Sequence, residues 1–249
     1  MKNYDYNSPA SFEELFAIIA KNDDSKSEIK FLAGGTDLVP KISLEREAVP
    51  KAGEKDLNLV YLGKLGLDTV SENDQEVRIG ALCTFADIAR NEIVKKNVPV
   101  LIDAIKEIAG FSVRNTATLG GNIMNASPAA DSVPVLVALG AEFVLTGPEG
   151  TRTVAAENFF TGPGKTVADP KEVLTEIVIP KKTGKAAFRK LGRRKAETLS
   201  VVNAAAYVET EGGSVKTVRV AVGSVAPTVV RCKAVEQALT GKEPTPETV

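Results

Sequence analysis

Two glycine pairs dominate the chemistry this chain can offer: Ala33-Gly34-Gly35-Thr36-Asp37-Leu38 and Thr118-Leu119-Gly120-Gly121-Asn122-Ile123. Glycine admits positive φ and carries no Cβ, so successive amide N–H groups can approach an anion that a side chain would block. A pyrophosphate suits that arrangement, and the two loops together point to a bound dinucleotide. Around the second pair, Thr118, Asn122, Asn125, Ser127 and Asp131 add hydrogen-bonding groups for phosphate, ribityl or ribose hydroxyls.

Other nucleotide fingerprints fail. Gly-x-Gly-x-x-Gly is absent, and Gly164-Lys165-Thr166 imitates the end of a phosphate-binding P-loop, but Phe159 stands where its first glycine is required. Asn125-Ala126-Ser127 fits a glycosylation sequon, yet the early acidic residues Asp5, Glu13 and Glu14 do not read as a signal peptide. Arg193-Arg194-Lys195 reads either as a solvated charged turn or as a cationic edge for an anionic cofactor or for the phosphates of a soluble acceptor.

The 249 residues carry 31 basic and 32 acidic side chains. That balance leaves no electrostatic footprint for nucleic acid or an anionic membrane. The longest apolar stretch, Val133 to Ala141, falls well short of the roughly 18 residues that span a bilayer. A soluble, cytoplasmic protein is the expectation. Histidine is absent, which removes an imidazole base, a His metal ligand and a histidyl link to a flavin. The two cysteines, Cys83 and Cys232, cannot supply the four thiolates of an iron–sulfur cluster, so any metal redox centre belongs on a partner. Cys83, in Ala81-Leu82-Cys83-Thr84-Phe85, reads as a small buried hydrophobe. No catalytic acid–base dyad and no metal site emerges.

The elements that must position the loops alternate strand and helix through the first two thirds. Ser11-Phe12-Glu13-Glu14 forms a capping box for a helix over 12–21, and a short strand ends at Phe31-Leu32 before a brief helical turn at 38–42. Strands are predicted at 59–62 and 77–80, and helices at 84–91 and 100–109. The polar stretch 114–131 reads as irregular, followed by an apolar helix over 133–139 and a strand over 141–145. Beyond the Pro180-Lys181-Lys182-Thr183-Gly184 linker, β segments at 188–191, 201–208 and 215–225 precede a helix over 229–239.

The strings Phe-Leu-Ala-Gly-Gly-Thr-Asp-Leu (31–38), Thr-Leu-Gly-Gly-Asn-Ile (118–123), Ala-Ser-Pro-Ala-Ala-Asp-Ser-Val-Pro (126–134) and Phe-Arg-Lys-Leu-Gly-Arg-Arg (188–194) carry a family likeness. In order and spacing they resemble the FAD-binding (medium) subunit of the molybdenum hydroxylases, the flavoprotein subunits of xanthine, carbon monoxide and nicotinate dehydrogenases. The resemblance implies an α+β fold: the FAD-binding fold of the vanillyl-alcohol oxidase and p-cresol methylhydroxylase type, with two α/β subdomains, followed by a small, shortened C-terminal α+β domain. Residues 1–180 would be the FAD-binding domain, with subdomains of about 1–55 and 56–180, and 185–249 the C-terminal domain.

FAD would be held noncovalently, with Leu32, Ala33, Gly34, Gly35, Thr36, Asp37 and Leu38 along the pyrophosphate and ribityl chain and Lys30 just ahead of them. Thr118, Gly120, Gly121, Asn122 and Asn125 would form a second wall, and Asp131 would bind through its carboxylate. Ile108 and Ala109 would border the flavin, Leu174 the adenine or ring region, and Lys190 would match a basic residue near the cofactor. The implied role is a relay within a heteromeric complex. A [2Fe-2S] small subunit delivers electrons drawn from a molybdenum-cofactor (molybdopterin) large subunit, and the flavin passes them to NAD or another acceptor. Rival readings are a free-standing FAD-dependent oxidoreductase of the same fold and a flavin-free nucleotide-binding assembly subunit. The chain lacks the cysteine-rich insert that some relatives carry for an extra [4Fe-4S] cluster, and it stops at Val249, short of the usual length of the family.

Overall fold

In the computed structural model, which describes residues 4–23, 28–47 and 57–245, the first glycine pair hangs from a small parallel sheet. Strands β1 (Tyr4–Asn7) and β2 (Glu28–Leu32) flank β3 (Leu57–Tyr61) in the order β1-β3-β2, all parallel. Parallel neighbours need crossovers, and α1 (Phe12–Asp23) and α2 (Leu38–Glu47) supply them. The predicted capping box forms: Ser11 Oγ accepts from the Glu14 amide at 3.2 Å, and the Glu14 carboxylate reaches back to the Ala10 amide at 2.8 Å. Leu15 and Ile19, one helical turn apart, bury against Val60 and Leu62, and such side chains contribute about 1.5–3 kcal/mol each. The subdomain boundary expected near residue 55 lies outside the described residues. Because β3 completes this sheet, the layer runs on to Tyr61.

The second layer is an antiparallel sheet with helices packed on it. It is built from β4 (Val70–Glu72), β5 (Glu76–Gly80), α3 (Phe85–Arg90), α4 (Glu92–Asn97), α5 (Pro99–Lys106), α6 (Phe111–Arg114), α7 (Leu119–Met124), α8 (Ser132–Leu139), β6 (Glu142–Gly147), β7 (Gly150–Ala155), the β8–β9 pair (Phe160–Gly162, Lys165–Thr166) and β10 (Val173–Pro180). The strand order is β4-β5-β10-β6-β7. Val77, Ile79, Phe143, Leu145 and Ile177 form its buried face and share one core with α5 and α8. Every residue of α8 is buried.

After Pro180 the chain enters a third layer, β11 (Lys185–Gly192), β12 (Ser200–Glu211), β13 (Ser214–Gly223) and β14 (Val230–Arg231), antiparallel in sequence order and closed by α9 (Lys233–Leu239). Its inner face, with Phe188, Ala205, Tyr207 and Ala221, joins the same core, and β12 and β13 pack on α8. Two expectations change here. The predicted helix over 229–239 begins only at Lys233, because Val230 and Arg231 pair with Val222 and Ala221 as a strand. The stretch 114–131 is not irregular throughout: α7 forms inside it because Leu119 and Ile123, both fully buried, give the glycine pair an apolar stripe.

A polar joint ties the layers together. Asp131, at the start of α8, is 5% exposed and accepts from Lys190 Nζ at 2.7 Å, Asn203 Nδ2 at 2.7 Å and Ser200 Oγ. Lys190 Nζ also donates to the Glu107 carbonyl, at the end of α5, at 2.8 Å. Removing one partner of a buried ion pair strands the other without a counter-charge. Asp131→Ala is therefore expected to lower unfolding stability by about 3–5 kcal/mol. Urea denaturation measures this, and an unchanged midpoint would contradict the joint.

Candidate functional site

The first loop is shaped by where its backbone must go. Leu32 still belongs to the sheet, its carbonyl accepting from the Leu62 amide at 2.9 Å. The chain then turns through Gly34 and Gly35, the latter at φ 70°, and enters α2, where the Val39 amide bonds to the Gly35 carbonyl at 2.9 Å. The amides of Gly34, Gly35, Thr36 and Asp37 have no acceptor among the described residues. Four neighbouring donors precede a ten-residue helix, the kind of backbone that suits an anion and whose helix dipole favours one.

The second loop is chemically different. The Leu119 amide donates to the Cys83 carbonyl at 3.1 Å, Gly120 to Ala81 at 2.8 Å, Gly121 to Thr118 Oγ1 at 3.0 Å and Asn122 to the Thr118 carbonyl at 3.0 Å. Thr118 is the N-cap of α7, so its hydroxyl is already engaged. This loop offers a flat wall, not a row of free donors.

The glycines divide accordingly. A Cβ on Gly34 would lie 1.9 Å from the Thr116 carbonyl oxygen, so this glycine lets the first loop rest on the backbone leading into the second. A Cβ on Gly120 would lie 2.6 Å from both the carbonyl oxygen and the Cβ of Ala81. Gly34 and Gly120 thus serve backbone packing. At Gly121 a Cβ would meet the Thr118 hydroxyl at 2.9 Å and Ala33 Cβ at 3.8 Å, so the walls that the two loops form meet there at contact distance. Lys41 spans the same two walls: it pairs with Asp37 and donates to Asn125 Oδ1 at 3.2 Å. Asn122 lies on the far wall with its Oδ1 accepting from Ser132 at 2.6 Å.

Ile108 and Ala109 form a tight turn at the end of α5, with Ala109 at φ 43°. Three consecutive carbonyls there take bonds from cations: Glu107 from Lys190, and Ile108 and Ala109 from Arg114 Nη1 at 2.7 and 2.6 Å. Sequence reasoning passed over Arg114. Its place in a polar stretch, between Val113 and Asn115, carried no spacing signal that separates it from a surface charge.

Other expected residues stand further back. Lys30 pairs with Glu28 on the same face of β2 at 2.6 Å, away from the free amides. Leu174 is 3% exposed in β10 opposite Leu145, and belongs to the core behind the second loop. The expectation that Asp131 binds through its carboxylate meets a carboxylate already filled by Lys190, Ser200 and Asn203. The basic segment folds on itself, with Arg194 Nε bonding to the Ala196 and Glu197 carbonyls at 3.0 and 3.1 Å. Together with Lys190 and Lys195 it lines a cavity of about 330 Å³, and Glu197 lies directly over Gly110. Cys83 hydrogen-bonds to the Thr69 carbonyl, and burial pushes its thiol up to about 11, which leaves it inert.

Backbone amides without an acceptor among the described residues on one loop, and a second glycine loop carrying Thr118, Asn122 and Asn125 against it, set in this three-layer α+β frame, suit a dinucleotide-binding protein. Comparison with known proteins makes this particular. Residues 2–182 match the family described as FAD binding domain in molybdopterin dehydrogenase, and residues 186–249 match the CO dehydrogenase flavoprotein C-terminal domain. The chain is 34% identical to the carbon monoxide dehydrogenase medium chain of Hydrogenophaga pseudoflava, over 99% of its own length and 83% of that protein. It is 33% identical to the glyceraldehyde dehydrogenase medium chain of Sulfolobus acidocaldarius, over 96% of its length and 82% of that chain. Among solved structures, carbon monoxide dehydrogenase from Hydrogenophaga pseudoflava superposes with a TM-score of 0.90 at 34% identity, covering 99% of this chain and 83% of that one. The chain belongs to the FAD-binding family of the molybdopterin dehydrogenases, and its fold is the FAD-binding fold with the flavoprotein C-terminal domain.

The glycine geometry separates packing from binding. Gly34→Ala and Gly120→Ala force a Cβ into backbone and are expected to cost about 1–3 kcal/mol of stability or more. Gly121→Ala meets only the Thr118 hydroxyl, and should cost about the worth of one cap, near 1 kcal/mol. Thermal unfolding of the flavin-free variants tests the order, and equal losses at Gly120 and Gly121 would refute it.

Proposed function

We propose that this chain is the FAD-bearing subunit of a molybdenum hydroxylase complex, taking electrons from a [2Fe-2S] partner and passing them to NAD or another acceptor. The observation that carries the reading is the meeting of the two glycine loops, where the amides of Gly34–Asp37, without an acceptor among the described residues, lie on the loop that approaches Gly121. The donor set fits a diphosphate. Amides of Gly34, Gly35, Thr36 and Asp37 would hold it, with the Thr36 hydroxyl alongside, while Ala33 and Gly121 would flank it. Asn122 and Asn125 would address sugar or ribityl hydroxyls from the far wall.

Bound there, FAD supplies electron exchange in single or paired steps, chemistry that resides in the cofactor. The residues of this chain position and insulate. Leu32 and Leu38 cover the ends of the first loop, and the Ile108–Ala109 turn, pinned by Lys190 and Arg114, would border the ring. Asp131 and Lys190 are then positioning residues, joining that turn to the second loop, and not direct ligands. The chain has no histidine, and burial holds Cys83 as a thiol.

Purification of the native complex tests the reading. FAD, iron and molybdenum should co-elute with this chain, and Gly121→Ala should weaken FAD retention by about tenfold, equivalent to about 1.4 kcal/mol. Flavin on a chain that carries neither an iron nor a molybdenum partner would overturn the relay. Normal FAD affinity in Gly121→Ala would overturn the cleft.

A further inference from the structure

Among the described residues, several cations of the surrounding elements are committed elsewhere. Lys30 pairs with Glu28, Lys190 with Asp131 and the Glu107 carbonyl, and Arg114 with the carbonyls of Ile108 and Ala109. Arg194 is spent within its own loop. Lys41 differs. It sits in α2, one turn beyond the unpaired amides, and its ammonium touches Asp37 on its own wall and Asn125 on the other. Its side chain is 58% exposed, so its hold on these partners is easily exchanged.

Resting on the diphosphate reading above, we propose that Lys41 is the diphosphate's counter-ion and the latch of the cleft. A diphosphate brings about two negative charges, whereas four amides and a helix N-terminus supply only partial positive charge. Asp37 adds a further carboxylate at the loop, so without a cation the site is electrostatically unbalanced. Lys41 supplies the missing charge. On binding, its ammonium leaves Asn125 Oδ1 for a phosphate oxygen and keeps Asp37 as its second partner, as i,i+4 spacing on one helix face permits. The Asn125 amide is thereby released to turn toward the ligand. The ligand then takes over from the side chain the joining of the two walls.

The test uses the whole complex, stripped of flavin and titrated with FAD while flavin fluorescence is followed at several salt concentrations. Lys41→Gln should raise the FAD dissociation constant about tenfold and flatten its salt dependence, because one charge pair has gone. Lys41→Arg should restore most of both, and binding of riboflavin, which has no phosphate, should be the same in all three proteins. A Lys41→Gln complex with unchanged FAD affinity and salt dependence would reduce Lys41 to a surface ion pair. Gly121→Ala serves as the reference: loss of FAD there with none in Lys41→Gln sinks the latch alone, and normal binding in both sinks the diphosphate assignment with it.

Discussion

One buried carboxylate holds this molecule in register. Asp131 gathers an ammonium, an amide and a hydroxyl from β11 and β12 at the head of α8, and the same ammonium reaches the last carbonyl before the Ile108–Ala109 turn. Desolvating a carboxylate and an ammonium is costly, and the geometry offsets that cost only because each group is bonded several times over. Nothing in the joint tolerates a slip of β11 against α5. The second glycine loop, the turn it faces and the C-terminal sheet are therefore fixed as one body, and the cleft inherits its shape from that constraint.

Much of this was legible in the sequence, for identifiable reasons. The glycine pairs marked the two loops that meet because close backbone approach demands glycine at Gly34 and Gly120, and the capping box at Ser11–Glu14 announced α1 through local rules alone. What the sequence concealed was which glycine does what. Gly34 and Gly120 yield to backbone atoms of Thr116 and Ala81, partners remote in the chain, so the free amides lie on one wall and not on both. Helix α7 was hidden by its own glycines and asparagines, whose weak helix propensity is overridden by burial of Leu119 and Ile123. Asp131 reads in the sequence as a cofactor ligand and Arg114 as an ordinary polar residue, because their partners come from distant segments or from backbone carbonyls, which leave no periodic trace.

The division of labour between protein and cofactor explains the plainness of the side-chain inventory. A chain whose cofactor carries the chemistry needs amide donors, small residues and a few well-placed cations, and no acid–base pair. The cations at the Ile108–Ala109 turn show how such a chain exerts influence: Lys190 and Arg114 act on carbonyls and, through them, on the shape of the turn.

Helix α8 carries a last consequence. Its eight residues are buried on every side, between the antiparallel sheet and the strands β12 and β13 of the C-terminal layer. Two family descriptions meet at residues 182 and 186, yet the solvent boundary does not follow them. An amphipathic helix could have served one layer and faced water on the other side; this one is apolar but for Ser132 and buried all round, so its cover depends on both layers. The two sequence domains share one hydrophobic core across this helix. The flavoprotein C-terminal domain is thus part of the solvent-excluding shell of the cofactor domain, which makes recombination at that boundary far more expensive than its position between sequence modules suggests.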